Sequence, residues 1–380
     1  MKKRWITLAI ILVVIVGLLI VFTNVGKKSK DYKIGAILPL TGSASYLGKN
    51  IQKGMELAQE EINNAGGINS VPLNIIFEDS MNDPKTGVSS YEKLVNNKSL
   101  NAIIVAMSTV TNAIIPLAKR DKIPLLCTAV SASGISKQSQ WVFRFFTKAD
   151  DDAKIIAEYS YNNLNLRNVS IIHIQDDFGL SYADVFENTF EELNGEISSV
   201  QSFSHGETNF RSQLTKIKSY NPDGVYIIAY ANTIALIPKQ LRKLGIDCTI
   251  LSTGTISQNF VVQQAPEAIE GTYYTTNAFN TFNPKTDEMK KFVTSFEDKY
   301  NTIPEYFEVF GYDSINLITK AIENQSYTKE GIKKGLLDIH GYQGIAGEIN
   351  INDDGEVNFP LIVAKVENSK PSKPLLLIKP

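Results

Sequence analysis

The sequence predicts an α/β protein of two doubly wound, Rossmann-like lobes behind an N-terminal hydrophobic helix. Three observations carry this. From Lys33 onward, short β-branched runs alternate with longer amphipathic ones, the pattern of βαβ units on a parallel sheet. The alternation restarts near Trp141. The 380 residues are enough for two cores, and 43% hydrophobic content with 16 Tyr and 18 Phe excludes a disordered chain.

The N-terminus stands apart in charge. The formal net charge is −2, yet the first 30 residues hold Lys2, Lys3, Arg4, Lys27, Lys28 and Lys30 and no acid. The other 350 carry 32 basic against 40 acidic residues, a net of −8. So acidic a body is a poor partner for nucleic acid, where affinity rests on neutralising phosphates. Trp5 to Phe22 is an 18-residue apolar run broken only by Thr7 and Gly17. That length matches a spanning helix, and the following Thr23-Asn24-Val25-Gly26 offers neither a small-x-small cleavage site nor a lipidation Cys. Residues 1–30 therefore read as an uncleaved signal-anchor with linker, and a cleaved signal peptide is the alternative. Lys27, Lys28 and Lys30 weigh against the orientation argument by balancing the charges in front of the run. Both readings export the body.

Along the body, Ile34 to Leu38 reads as a buried strand. A helix from Lys49 to Asn64 places Ile51, Met55, Ala58 and Ile62 on one face, and Gly66-Gly67 stops it. Leu73 to Phe77 is the next strand, and Asp83-Pro84 opens a helix with an acidic cap and a proline at the first position. Ala102 to Val105 and Pro124 to Cys127 continue the strands, with a helix between them ending near Arg120. Trp141 to Phe146 is extended, and Asp150-Asp151-Asp152 opens a helix to about Asn163 as a favourable N-terminal charge cluster. Strands follow at Val169 to Ile174, Ile197 to Phe203, Gly224 to Ala229, Thr249 to Leu251 and Gly271 to Thr275. Helices run from Asp287 to Tyr300 and from Tyr306 to Asn324. The tail carries antiparallel signals at Gly347 to Ile351, Phe359 to Val366 and Leu375 to Ile378, with an Asn352-Asp353-Asp354-Gly355 turn.

Two such lobes enclose a cleft, and ligands of open α/β sheets sit beyond the carboxyl ends of the strands. The residues there are mostly small and hydroxylic: Thr41-Gly42-Ser43-Ala44-Ser45-Tyr46, Ser108-Thr109, and Thr128-Ala129-Val130-Ser131. The second lobe offers Asp176-Asp177-Phe178-Gly179, Tyr230-Ala231-Asn232 and Ser252-Thr253-Gly254-Thr255. Hydroxyls and free amides at helix N-termini hold a carboxylate without an arginine. For any single one, helix capping is the plainer reading; recurrence after nearly every strand favours a site.

Enzyme readings are weaker. Gly42 to Gly48 follows a strand and opens a helix as a phosphate loop does, but it has five residues between the glycines, and Asn50 stands where Ser or Thr must reach magnesium. His173 lies in an apolar strand and reads as a core histidine, His205 as surface loop. No GxSxG elbow and no metal-ligand spacing is present, so no catalytic residue, cofactor or metal is expected. Cys127 and Cys248 fall in different lobes and read as buried free thiols.

At the residues after the strands, the chain resembles the leucine/isoleucine/valine-binding branch of the type I periplasmic binding proteins. The motif is Leu40-Thr41-Gly42, Gly48, Gly54-Met55-Glu56-Leu57-Ala58, Ile62-Asn63 and Gly66-Gly67-Ile68, then Asp83-Pro84, Ile123-Pro124-Leu125-Leu126, Phe143-Arg144, Phe178-Gly179 and Gly311-Tyr312-Asp313-Ser314. It spans about residues 32 to 366. The resemblance implies a three-strand hinge with crossovers near Phe146, Tyr274 and Gly344. Lobe 1 then holds 31–146 plus 275–343, and lobe 2 holds 147–274 plus 344–380. It also implies ligand contacts. Ser108, Thr109, the Ala129 backbone and the Ser131 hydroxyl would hold a carboxylate. Phe178 would pack over the ligand, Tyr230 would add a polar aromatic, and Tyr46 or Leu47 would cover it from the opening loop. Asp313 reads as structural. One departure stands out: amino-acid-binding members place an acid after the last strand of the second lobe, and Thr253-Gly254 with their neighbours supply none. Either Asp176 or Asp177 substitutes, or the ligand lacks an ammonium. The expected function is a non-enzymatic, extracytoplasmic receptor with a monomeric body, anchored by residues 5–22. It would capture an amino acid or analogue, branched-chain or related, for an ABC permease. The alternative is a tethered sensor of amides, urea or short carboxylates.

Overall fold

The computed structural model describes residues 31–378 apart from 98–99, 231, 278–283, 285, 369 and 372–374. The expected helix over residues 5–22 lies outside the described residues. Among those described, no helix is long and apolar enough to cross a membrane.

The first unit runs β1 (Tyr32–Leu38), α1 (Ser45–Asn64), β2 (Leu73–Asp79), α2 (Pro84–Asn97), β3 (Ile103–Ala106), α3 (Ser108–Asp121), β4 (Leu125–Thr128) and β5 (Val142–Arg144). Its sheet is wholly parallel in the order β2-β1-β3-β4-β5. β3 and β4 are buried at every position because helices cover both faces, and their uninterrupted apolar sequence follows from that. Gly66 and Gly67, both at positive φ, turn the chain out of α1 as expected.

The second unit runs α4 (Ala149–Asn162), β6 (Asn168–Ile174), α5 (Asp177–Glu192), β7 (Glu196–Phe203), α6 (Arg211–Ser219), β8 (Gly224–Ile228), α7 (Thr233–Lys243) and β9 (Thr249–Thr253). Two short helices, α8 (Asn259–Gln264) and α9 (Pro266–Ile269), then lead to β10 (Tyr273–Asn277). The parallel part of this sheet is ordered β7-β6-β8-β9-β10, so each unit turns about its first strand in the same way.

Three helices then return to the first unit: α10 (Asp287–Tyr300), α11 (Tyr306–Asn324) and α12 (Lys329–Leu337). α11 meets α1 backbone to backbone. A Cβ on Gly54 would stand 2.0 Å from the Glu308 carbonyl oxygen, and one on Gly311 would stand 2.2 Å from that of Ile51. After the hairpin β11 (Tyr342–Gly344) and β12 (Gly347–Ile349), the tail strands β13 (Leu361–Glu367), β14 (Lys370–Pro371) and β15 (Leu376–Ile378) join the second sheet. β13 pairs antiparallel with β10, β14 and β15.

The crossings differ from the positions expected at Tyr274 and Gly344. β10 stays paired in the second sheet through Asn277, opposite Leu361. Residues 345–357 stay with the first unit. The Asp313 carboxylate accepts from the amides of Ile345 at 3.1 Å and Ala346 at 2.7 Å, and Glu356 pairs with Arg144. The chain therefore reaches the second sheet at Asn358 to Pro360, held by side chains that a hydrophobicity pattern cannot register. Phe145 sits against Phe310 (ring centroids 5.1 Å) and Phe359 (5.4 Å), so two crossing segments share one aromatic cluster with α11.

Candidate ligand site between the lobes

A cleft holding about 530 Å³ of empty space, the open solvent at its mouth included, lies where the carboxyl ends of both sheets converge. From the first unit it is lined by Leu47 at the start of α1, Met107 and Ser108 after β3, Ala129 and Ser131 after β4, and Phe146 and Thr147 after β5. The second unit contributes Asp152, Phe178, Tyr182, Tyr230, Thr253, Gly254, Thr255 and Thr275, and α11 adds Tyr306 and Phe307. Seven of the sequence-predicted residues meet at one cavity: Ser108, Ala129, Ser131, Phe178, Tyr230, Thr253 and Gly254.

The first-lobe wall suits an anion. Ser108 is the first residue of a 14-residue helix whose positive end faces the lining. Met107 and Ala129, neither a glycine, adopt φ of 77° and 51° and are tied by a bond from Met107 N–H to the Ala129 carbonyl of 3.3 Å. Left-handed backbone at two neighbouring wall residues is costly and persists only where surrounding structure enforces it. That enforcement is visible: Ser108 Oγ accepts from Ala132 N–H at 3.2 Å, and the Arg144 guanidinium donates to the Ala132 carbonyl at 2.7 Å. Arg144 is itself paired with Glu356 at 2.7 Å, with both side chains buried.

Two predicted residues lie elsewhere. Tyr46 turns out of the cavity, donating to Glu305 Oε2 at 2.8 Å and packing on Phe260 at 4.3 Å. The reason is that α1 begins at Ser45, not Lys49, so helical twist separates Tyr46 from Leu47, and Leu47 faces the cavity. Thr109 is not in the lining; its hydroxyl accepts from Asp177 N–H at 3.2 Å and ties the lobes together. Other bonds bridge the lobes at the rim, from Asn112 to Asp177 at 2.7 Å, from Asn82 to Tyr230 at 2.8 Å and from Asn259 N–H to Glu305 at 2.7 Å.

The offered replacements for the missing acid do not face the cavity either. Asp176 caps α5 through Gly179 N–H and accepts from Tyr230 at 2.5 Å, with His205 Nε2 at 3.2 Å. Asp177 is engaged by Asn112. The carboxylate in the described lining is Asp152, which the sequence pattern places in a helix N-terminal charge cluster. Its Oδ2 accepts from Thr147 at 2.9 Å and from Tyr182 at 2.8 Å, while Oδ1 is buried without a partner. Burial pushes its pKa up to about 6. A signal was available: Ala149, Asp152, Ala153 and Ile156 share helical spacing and are all buried, so Asp152 lies on the inner face of α4. Among the described lining residues there is no Lys, Arg or His.

Other sequence readings resolve as follows. The phosphate-loop candidate Gly42 to Gly48 turns back on itself, with Ser45 N–H bonded to the Gly42 carbonyl at 3.2 Å and Gly48 N–H to that of Ala44 at 3.2 Å, and just ahead of it Asp79 accepts from the amides of Leu40 at 2.8 Å and Thr41 at 3.3 Å. His173 is buried, with Nδ1 2.9 Å from the Ile174 carbonyl oxygen. Cys127 and Cys248 are free; Cys127 is buried and Cys248 partly exposed. Among the described residues, no group of three or more His, Cys, Asp and Glu could hold a metal ion.

Known proteins give this geometry its context. A family model described as periplasmic binding protein matches residues 31–371. The Leu/Ile/Val-binding protein homolog 3 of Brucella melitensis is 27% identical over 338 residues, covering 87% of this chain and 89% of the relative. Among solved structures, the leucine-binding protein LivK of Thermotoga maritima superposes with a TM-score of 0.85 at 27% identity, covering 92% of this chain and 99% of that one. The branched-chain amino acid transporter substrate-binding protein LivJ of Streptococcus pneumoniae, solved with isoleucine, gives 0.84 at 26% identity, with 92% and 100% covered. The fold is that of these proteins, and the chain belongs to the type I periplasmic binding protein family as an extracytoplasmic solute-binding receptor.

Proposed function

We propose that this receptor, which performs no chemistry on its ligand, captures an α-amino acid with an apolar, branched side chain and hands it to an ABC permease. The observation that carries the reading is the division of the cavity wall. Ser108, Ser131 and the positive end of α3 offer polar contacts to a carboxylate on the first-lobe side, while Leu47, Phe146, Phe178 and Phe307 supply an apolar surface. Binding at such a seam favours the closed arrangement by whatever contact the ligand makes with both lobes at once. We take the lobes as 31–146 with 284–357 and 147–277 with the tail strands, and residues 5–22 as a tether that keeps the exported body at the membrane.

A thermal-shift screen of the full chain against the common amino acids tests this. A ligand at 100 times its Kd adds about 2.7 kcal/mol and raises the melting midpoint, with leucine, isoleucine or valine expected as the strongest. Ser131→Ala should weaken that ligand while leaving the ligand-free melt unchanged. A screen in which no amino acid shifts the midpoint ends the amino-acid assignment.

A further inference from the structure

We propose that Asp152 is the counter-charge for a cationic nitrogen on the ligand, so that the cavity selects zwitterions over simple carboxylates. This rests on the amino-acid reading and deepens it, because the acid comes from the first turn of α4 and not from the Thr253-Gly254 stretch.

The geometry is that of a half-satisfied anion. Asp152 lines the cavity with one carboxylate oxygen held by Thr147 and Tyr182 and the other without a hydrogen-bond partner. The Thr275 hydroxyl beside it makes a weak stabilising contact with the carboxylate that falls short of a full hydrogen bond, and the Tyr226 hydroxyl behind it is buried without a partner. Two of these three atoms belong to residues in the cavity lining, and each can accept a hydrogen bond. An ammonium brings three donors and a full positive charge, which matches an unpaired carboxylate flanked by a hydroxyl. Net charge points the same way. With no basic side chain in the described lining, a bound monocarboxylate would leave two negative charges in a buried space, whereas a zwitterion pairs its ammonium with Asp152 and leaves only its carboxylate, facing Ser108, Ser131 and the positive end of α3.

The groups facing Asp152 are Thr147 from the crossover, Tyr182 of α5, Tyr226 of β8, Thr275 of β10 and Tyr306 of α11, with Asp151 as its neighbour on α4. None is a cation. Burial holds the carboxyl near 6, so an arriving ammonium should displace a proton around that pH.

The test is calorimetric titration of the full chain, as wild type and as Asp152→Asn, with L-leucine and its des-amino analogue 4-methylpentanoate. Wild type should prefer leucine. Asp152→Asn should lose about 30-fold to a few thousand-fold in leucine affinity and gain for the analogue. Leucine binding within threefold of wild type in Asp152→Asn would overturn the counter-charge while leaving the receptor reading intact. Equal loss of both compounds would mark Asp152 as merely structural and also overturn it. If wild type binds no amino acid, the amino-acid reading itself fails. Should the variant not fold, wild-type titrations at pH 6 in two buffers of different ionisation enthalpy decide the matter: proton release on leucine binding supports the proposal, and its absence refutes it.

Discussion

Replacing Glu356 by alanine should destabilise the protein far more than a surface charge deletion would. The Glu356 carboxylate receives Arg144 Nε at 2.7 Å and Nη2 at 2.8 Å, together with the Ser136 hydroxyl, and the two charged side chains are 2% and 9% exposed. Glu356→Ala leaves a buried guanidinium with Nη1 bonded to the Ala132 carbonyl and its other two nitrogens stripped of their acceptor. Removing one partner of a buried pair costs about 3–5 kcal/mol, because the remaining charge stays desolvated. With a urea dependence of about 3 kcal/mol/M, the unfolding midpoint should fall by about 1–1.7 M. Urea titration followed by far-ultraviolet circular dichroism measures this. The paired replacement Arg144→Met with Glu356→Leu should cost less than Glu356→Ala alone, since it removes both charges and keeps the volume. A midpoint shift below about 0.3 M for Glu356→Ala, or a double variant worse than the single, would refute the reasoning. Because Arg144 also holds the Ser131–Ala132 turn, Glu356→Ala should weaken ligand binding even where the fold survives.

Stability and ligand affinity should respond to pH in opposite directions. Burial raises the pKa of Asp152 to about 6, Asp313 to about 7 and Glu308 to about 8, each above its unfolded value, so the folded chain binds more protons and their contribution is largest at low pH. It is lost as pH rises through those folded values, and Asp152 alone accounts for about 3 kcal/mol. The ligand-free melting midpoint should therefore climb from pH 8 to pH 5 while amino-acid affinity falls below pH 6; a midpoint that drops steadily over that range contradicts the assignment. Deleting residues 5–22 from a chain exported by a substitute cleavable leader should release the body from the membrane fraction, and retention there would disprove the tether.

The elements were legible because their signals are local. Helices at 287–300 and 306–324 match the periodic pattern to the residue, and the Asp83-Pro84 start is where the cap chemistry puts it. α12 was not read, because Gly331 and Gly335 weaken a nine-residue pattern. Gly335 is there for packing: a Cβ would stand 2.3 Å from the Ala321 carbonyl oxygen. At the site, wall residues that follow strands were legible by position, whereas Tyr46 and Thr109 depended on helix phase and on the docking of α5.

By itself, the sequence determined the two α/β units, the strand ends that would meet, and an acidic body behind a basic, apolar leader. Periodicity and capping are properties of neighbours along the chain, so they survive without a fold. Which carboxylate faces the ligand was decided only in three dimensions. Asp150, Asp151 and Asp152 are equivalent as helix-start charges, and the packing of α4 against α5 and the second sheet turns one of them inward, beside Tyr182 and Thr275.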